Sequence, residues 1–211
     1  MTILAVDTSC YVASAALVRD GVCIKECFAD ASRRHAETVQ PLVETLLTEC
    51  GVSVSRVDLF AVDVGPGSFT GVRIGVAMIN AMAYAAGKPV VAVDALRTLA
   101  EPFWDGTEPV AAVVDAGHGN AYAALYRAGE TLLPPDAVNA ADFLSTLPED
   151  ARTVGDLAAL PEQTYPSAKR VGEAAYRLRS SATKEARPVY LRPSQAERMW
   201  KERQEAKQLG L

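Results

Sequence analysis

Among its 211 residues the chain has two histidines and four cysteines, so it is poor in the side chains that most often ligate metals. His35 and His118 stand too far apart for a His-x3-His or His-Glu-x2-His helical site. Cys10, Cys23, Cys27 and Cys50 lack the Cys-x2-Cys spacing of zinc ribbons and redox pairs. No metal or other cofactor is expected, and the cysteines read as small buried thiols. With no partner triad in view, a histidine at the head of a helix reads as solvated. There is no basic excess either: 21 Lys and Arg face 26 Asp and Glu, a net charge of −5, which argues against a nucleic-acid surface on this chain. A phosphate-binding Gly-Lys-Ser/Thr is missing, as is any visible Ser-His-Asp arrangement. Thr2 to Asp7 follow Met1 at once, with no basic leader, and no apolar run is read as reaching membrane-spanning length, so a cytosolic protein without membrane contact is expected.

What is present centres on Asp63-Val64-Gly65-Pro66-Gly67-Ser68-Phe69-Thr70-Gly71-Val72-Arg73-Ile74-Gly75. It follows the apolar run Leu59 to Val62, which predicts a buried strand, and its glycines and Pro66 shape a tight turn into a helix. Ser68 or Thr70 is the expected cap. Free amides beside Gly65, Gly67 and Gly71 offer a phosphate site, and close backbone packing is the competing and favoured reading of the same glycines. The predicted helix, Gly71 to Gly87, has only Arg73 and Asn80 as clearly polar residues and is apolar on all sides. Such a helix needs cover on all sides, from its own chain and from a second protein. Gly71, Gly75, Ala81 and Ala85 are the small residues that would admit another helix, with Ile79 and Met82 beside them and Tyr84 at the edge. Leu42 and Leu46, on a helix predicted over His35 to Cys50, are the neighbouring candidates.

The remaining elements read as strands over Thr2 to Asp7, Val12 to Arg19, Val22 to Ala29 and Pro89 to Val93, with Asp20-Gly21 as a hairpin turn. Val6 to Gly21 matches Val114 to Gly129 at a constant offset of 108, pairing Asp7 with Asp115, Arg19 with Arg127 and Gly21 with Gly129. A duplicated lobe is the simplest account. The second copy is smaller: Pro134-Pro135, a short helix near Ala140 to Thr146, an apolar run at Ala151 to Leu160 and a helix near Ser167 to Ser180. The expected fold is α/β, two tandem ribonuclease-H-like lobes with the second reduced: residues 1–108, residues 109–193, and a charged tail over 194–211 that reads as a solvated helix.

Two such lobes in tandem resemble the actin-like and sugar-kinase ATPases, in which the Asp ending the first strand of each lobe faces the nucleotide cleft. Asp7 and Asp115, with Gly65 and Gly67, are therefore the weak candidates for cofactor binding. More specifically, the run Gly65 to Gly75, preceded by Ile3 to Ser9 and followed by Pro188-Val189-Tyr190-Leu191-Arg192, resembles the TsaB family of tRNA threonylcarbamoyladenosine biosynthesis proteins, tightly to about residue 100 and loosely beyond. The resemblance implies a noncatalytic partner that binds the catalytic subunit TsaD, with the ATPase TsaE, in threonylcarbamoylation of adenosine 37 in tRNAs reading ANN codons. It implies tRNA contact only through the complex, and a possible homodimer when the partner is missing. The catalytic relative's His-x3-His is replaced here by Val93 to Leu99, without histidine, so no catalytic residue is expected. Asp115-Ala116-Gly117-His118 departs from the family's Asp-Ala-Arg. An ATP-dependent kinase or ATPase of the same superfamily, or a peptidase, is the alternative.

Overall fold

The computed structural model describes residues 1–32, 34–192 and 200. Its first sheet holds β1 (Thr2–Asp7), β2 (Val12–Arg19), β3 (Val22–Asp30), β4 (Leu59–Asp63) and β5 (Val90–Val93) in the order β3-β2-β1-β4-β5. β1 runs antiparallel to β2 and parallel to β4, so the centre of the sheet lies where the chain begins. Ile3, Leu4, Ala5 and Val6 are all buried because helices cover both faces, which is why this strand reads as an unbroken apolar run. Leu4 and Val6 meet α1 (His35–Glu49) and α2 (Phe69–Ala86) on one side. Ile3 and Ala5 meet α5 (Ala168–Arg177) on the other.

The second sheet repeats the first. β6 (Val110–Gly117), β7 (Asn120–Arg127), β8 (Glu130–Asn139) and β9 (Arg152–Gly155) lie in the order β8-β7-β6-β9, again three consecutive antiparallel strands followed by a parallel partner of the first. The repeat reaches the turns: Asp20 and Gly21 have φ of 51° and 84°, and Ala128 and Gly129, 108 positions on, have 48° and 84°. Two left-handed residues in succession match the twist of a hairpin. α3 (Ala95–Ala100) covers one face through Leu96 and Leu99, and α4 (Ala140–Ser145) covers the other through Phe143. The fold is thus α/β with two tandem ribonuclease-H-like lobes, the second having one strand fewer.

Two local expectations differ, and β8 carries a proline pair. β8 runs straight through Pro134 and Pro135, which an edge strand tolerates because only one of its sides is hydrogen-bonded. α5, assigned by sequence to the 109–193 lobe, lies instead against the first sheet, where Ala168, Val171, Ala174 and Ala175 pack on Ile3, Ala16, Leu59 and Val91. α2 has 18 residues with a mean hydropathy of 1.2, long and apolar enough by composition to span a membrane, contrary to the sequence reading. Here it is a layer helix on the sheet. Of the four thiols only Cys10 is buried; Cys23, Cys27 and Cys50 are half-buried. Of the tail 194–211 only Trp200 is described, and the helix expected there otherwise lies outside the described residues.

Candidate functional site

The glycine turn is shaped by the β1–β2 turn packed against it. Gly65 has φ of 94°, and Ser68 caps α2 by accepting from Gly71 N–H at 3.2 Å. Thr8 Oγ1 donates to Gly71 O at 2.7 Å. A Cβ on Gly67 would run into the Ser9 carbonyl, one on Gly71 into the Thr8 carbonyl, and one on Gly75 into Thr8 Oγ1. Ser68 N–H donates to Ser9 O at 2.6 Å. The positions offered as a phosphate cradle are therefore taken up by the chain's own backbone, and these glycines serve close approach.

His35, expected to be solvated, is buried, and its Nε2 lies 2.8 Å from Cys10 O. A carbonyl only accepts, so Nε2 carries the hydrogen. This contact fixes the head of α1 to the same β1–β2 turn. A groove of about 640 Å³ opens beside it, lined by Tyr11, Arg34, His35, Ser68, Thr70 and Ile74.

Of the cofactor candidates, Asp7 is brought together with the turn that holds Gly65 and Gly67, and Asp115 is not. Asp7 is fully buried and Oδ1 accepts from Ser9 N–H at 2.7 Å and Ser9 Oγ–H at 2.8 Å. Asp63, which the sequence reading did not select, is fully buried beside it and accepts from Gly65 N–H at 2.6 Å. Burial pushes the Asp7 carboxyl up to about 6. Burial first, then the Asp7 charge, pushes Asp63 well above the ordinary carboxylate range. Asp115 is exposed on the second sheet, where its Oδ1 accepts from Gly117 N–H at 2.8 Å and its own N–H donates to Asp156 at 2.6 Å. Asp7, Asp63 and Asp115 each accept from the amide two residues on, the turn a strand-end Asp commonly makes.

α2 separates the partner-face candidates into two groups. Gly71, Gly75 and Ile79 face inward with Val72, Val76 and Ala83, and Leu42 and Leu46 of α1 are buried in the same core. These five belong to the interior, because the sheet takes the side of α2 that the small residues were expected to offer to a partner. Ala81 and Ala85 are exposed, with Arg73, Ala77 and Tyr84, and Met82 is half-buried. Tyr84 is 89% exposed, the most of any large apolar side chain described.

One flank of α2 is covered by the segment 183–192, of which the sequence singles out only the motif Pro188 to Arg192, without placing it. Asn80 clamps Ala186 with two hydrogen bonds, of 2.9 and 2.8 Å. Val189 N–H donates to Val64 O at 2.8 Å. Tyr190 stacks on Phe69 at 4.9 Å between centroids, and the Arg73 guanidinium lies 4.0 Å from the Phe69 ring while Nε donates to Tyr190 Oη at 2.6 Å. The buried-face spacing of Asn80 gave no hint of this, since its partners lie 106 positions away.

A family model described as TsaD, tRNA N6-adenosine threonylcarbamoyltransferase, matches residues 29–196. The tRNA threonylcarbamoyladenosine biosynthesis protein TsaB of Bacillus subtilis is 37% identical over 160 residues, 73% of this chain and 69% of that protein. This chain belongs to the TsaB family. The Escherichia coli TsaB is 38% identical over 132 residues, 62% of this chain and 57% of its own length. Among solved structures, YeaZ from Pseudomonas aeruginosa superposes with a TM-score of 0.73 at 30% identity, covering 90% of this chain and 99% of that one. The chain spans between about half and two thirds of the curated TsaB proteins it matches. Membership accounts for the tandem lobes.

Proposed function

We propose that this TsaB-family chain acts in tRNA threonylcarbamoyladenosine biosynthesis as a noncatalytic subunit. It docks on a catalytic subunit of the TsaD type, works with a TsaE-type ATPase, and meets tRNA only through the assembly. The substrate position is adenosine 37 of tRNAs reading ANN codons. The observation that carries this reading is the outer face of α2: Ala77, Ala81, Tyr84 and Ala85 stand exposed on a helix with almost no charge. Burying such a face contributes roughly 25 cal/mol per Å², and small side chains let a second helix come close. Arg73, propped by Phe69 and Tyr190, stands at one end of that face as a pre-ordered cation for a partner's carboxylate or ring.

The noncatalytic part of the reading is supported by what fills the glycine turn. The Ser9 and Thr8 carbonyls occupy the space beside Gly67 and Gly71, and Asp7 is enclosed by its own turn. Reconstitution tests it. Catalytic subunit, ATPase, ATP, tRNA and a threonylcarbamoyl donor should give modified adenosine only when this chain is added. The chain by itself should hydrolyse no ATP and modify no tRNA. Modification at full rate without it, or ATP turnover by it alone that disappears in Asp7→Ala, overturns the reading.

A further inference from the structure

Asp7 and Asp63 end neighbouring parallel strands, each one position beyond the Val6–Val62 pair. Paired positions on adjacent strands project to the same face of a sheet. Both carboxylates are fully buried. Each uses Oδ1 for the turn that follows it, and in each the second oxygen, Oδ2, is buried with no hydrogen-bond partner among the described residues. The groups that bear on them are of one sign or neutral. Glu26 of β3, Asp94 at the head of α3 and Cys10 of the β1–β2 turn contribute no positive charge. From α1 comes His35, whose Nε2–H is committed to the Cys10 carbonyl. Lys169 and Arg170 of α5 act on Glu26 and not on the pair. Two adjacent buried carboxylates with no cation beside them among the described residues cannot both stay ionised, because desolvation and mutual repulsion add.

We propose that Asp7 and Asp63 hold one proton between their free oxygens at neutral pH, an acid–carboxylate pair that ties the β1–β2 turn to the glycine turn opening α2. The upward displacement of both carboxyls agrees with a proton kept at ordinary pH. The unfolded chain, whose Asp residues titrate near pH 4, releases that proton on unfolding near neutrality. Folded values above the unfolded one give stability that is fully present below about pH 4 and is lost as pH rises through the folded values. In the range from about pH 5 to about pH 8 the chain should therefore become less stable as pH rises.

The test is urea unfolding of the isolated full chain across that range, so it does not depend on any partner. The folding equilibrium constant of the parent should fall with rising pH, by up to about tenfold per pH unit where the proton leaves. Asp63→Asn keeps Oδ1 for Gly65 and offers an amide N–H to Asp7 in place of the shared proton. It should lose the pair's part of the slope and equal or exceed the parent's stability at about pH 8. Asp7→Asn is the mirror variant and decides the matter if Asp63→Asn does not fold. An infrared carboxylic-acid C=O band present in the parent at neutral pH should vanish in either variant. An unchanged slope in both variants, a parent that gains stability as pH rises, no such band, or failure of both amide variants to fold overturns the proposal.

Discussion

Thr8 decides what the glycine motif does. Its carbonyl sits against Gly71 and its hydroxyl against Gly75, so the β1–β2 turn nests in the N-terminal turns of α2. Gly71→Ala must therefore push backbone, and overpacking of this kind costs about 3 kcal/mol. Urea unfolding should show a lowered midpoint at an unchanged m-value. The same nest explains His35: replacing it by Ala leaves the buried Cys10 carbonyl without its donor, at a cost of about 2 kcal/mol. At this scale the sequence was legible where a residue acts on its immediate neighbours. The Ser68 cap and the Asp7 turn are local, with partners three and two residues away. Thr8 and His35 act on residues 63 and 25 positions off, and Asp63 matters because of a strand that precedes it by more than fifty residues; no spacing rule reaches them.

α2 is the element on which packing and proposed docking divide the same residues. A helix apolar all round announces that both sides are to be covered, and that much the sequence told. Which residues lie on which side depends on how the helix rolls on the sheet, and Thr8 sets that by demanding glycine at 71 and 75. The small residues taken for a docking stripe thus divide, Gly71 and Gly75 inward and Ala81 and Ala85 outward. Ile79→Ala, inside, should cost roughly 3 kcal/mol by circular-dichroism melting or urea, as large-to-small core changes do. Ala85→Glu, outside, should leave monomer stability within about 0.5 kcal/mol. Asn80→Ala should free the covering segment: hydrogen exchange at Ala186 and Val189 should quicken while the strands of the first sheet keep their protection.

At the scale of the molecule the duplication is the clearest inheritance of the sequence. The hairpin turn recurs at the 108-residue offset, and each sheet pairs its first strand with a later parallel one, because the same strand order was built twice. What the repeat hid is the exchange between halves. α5 is written after the second sheet and packs on the first, and segment 183–192 returns from α5 to run along α2 and on to Asn120, which Arg192 approaches at 3.3 Å. An apolar stripe tells a helix that it has a sheet to cover but not which sheet, so α5 was assigned to its neighbour in sequence.

Among the described residues, segment 183–192 covers one flank of α2 and leaves its outer face exposed, and one measurement bears most directly on the docking proposed for that face. The full chain and Ala81→Glu are each mixed with the TsaD-type catalytic subunit, and mass is read by light scattering after size exclusion. The account predicts a complex with the full chain and two separate components with Ala81→Glu, whose own circular dichroism is unchanged. A complex of equal mass and yield with Ala81→Glu, or none with the full chain, contradicts it.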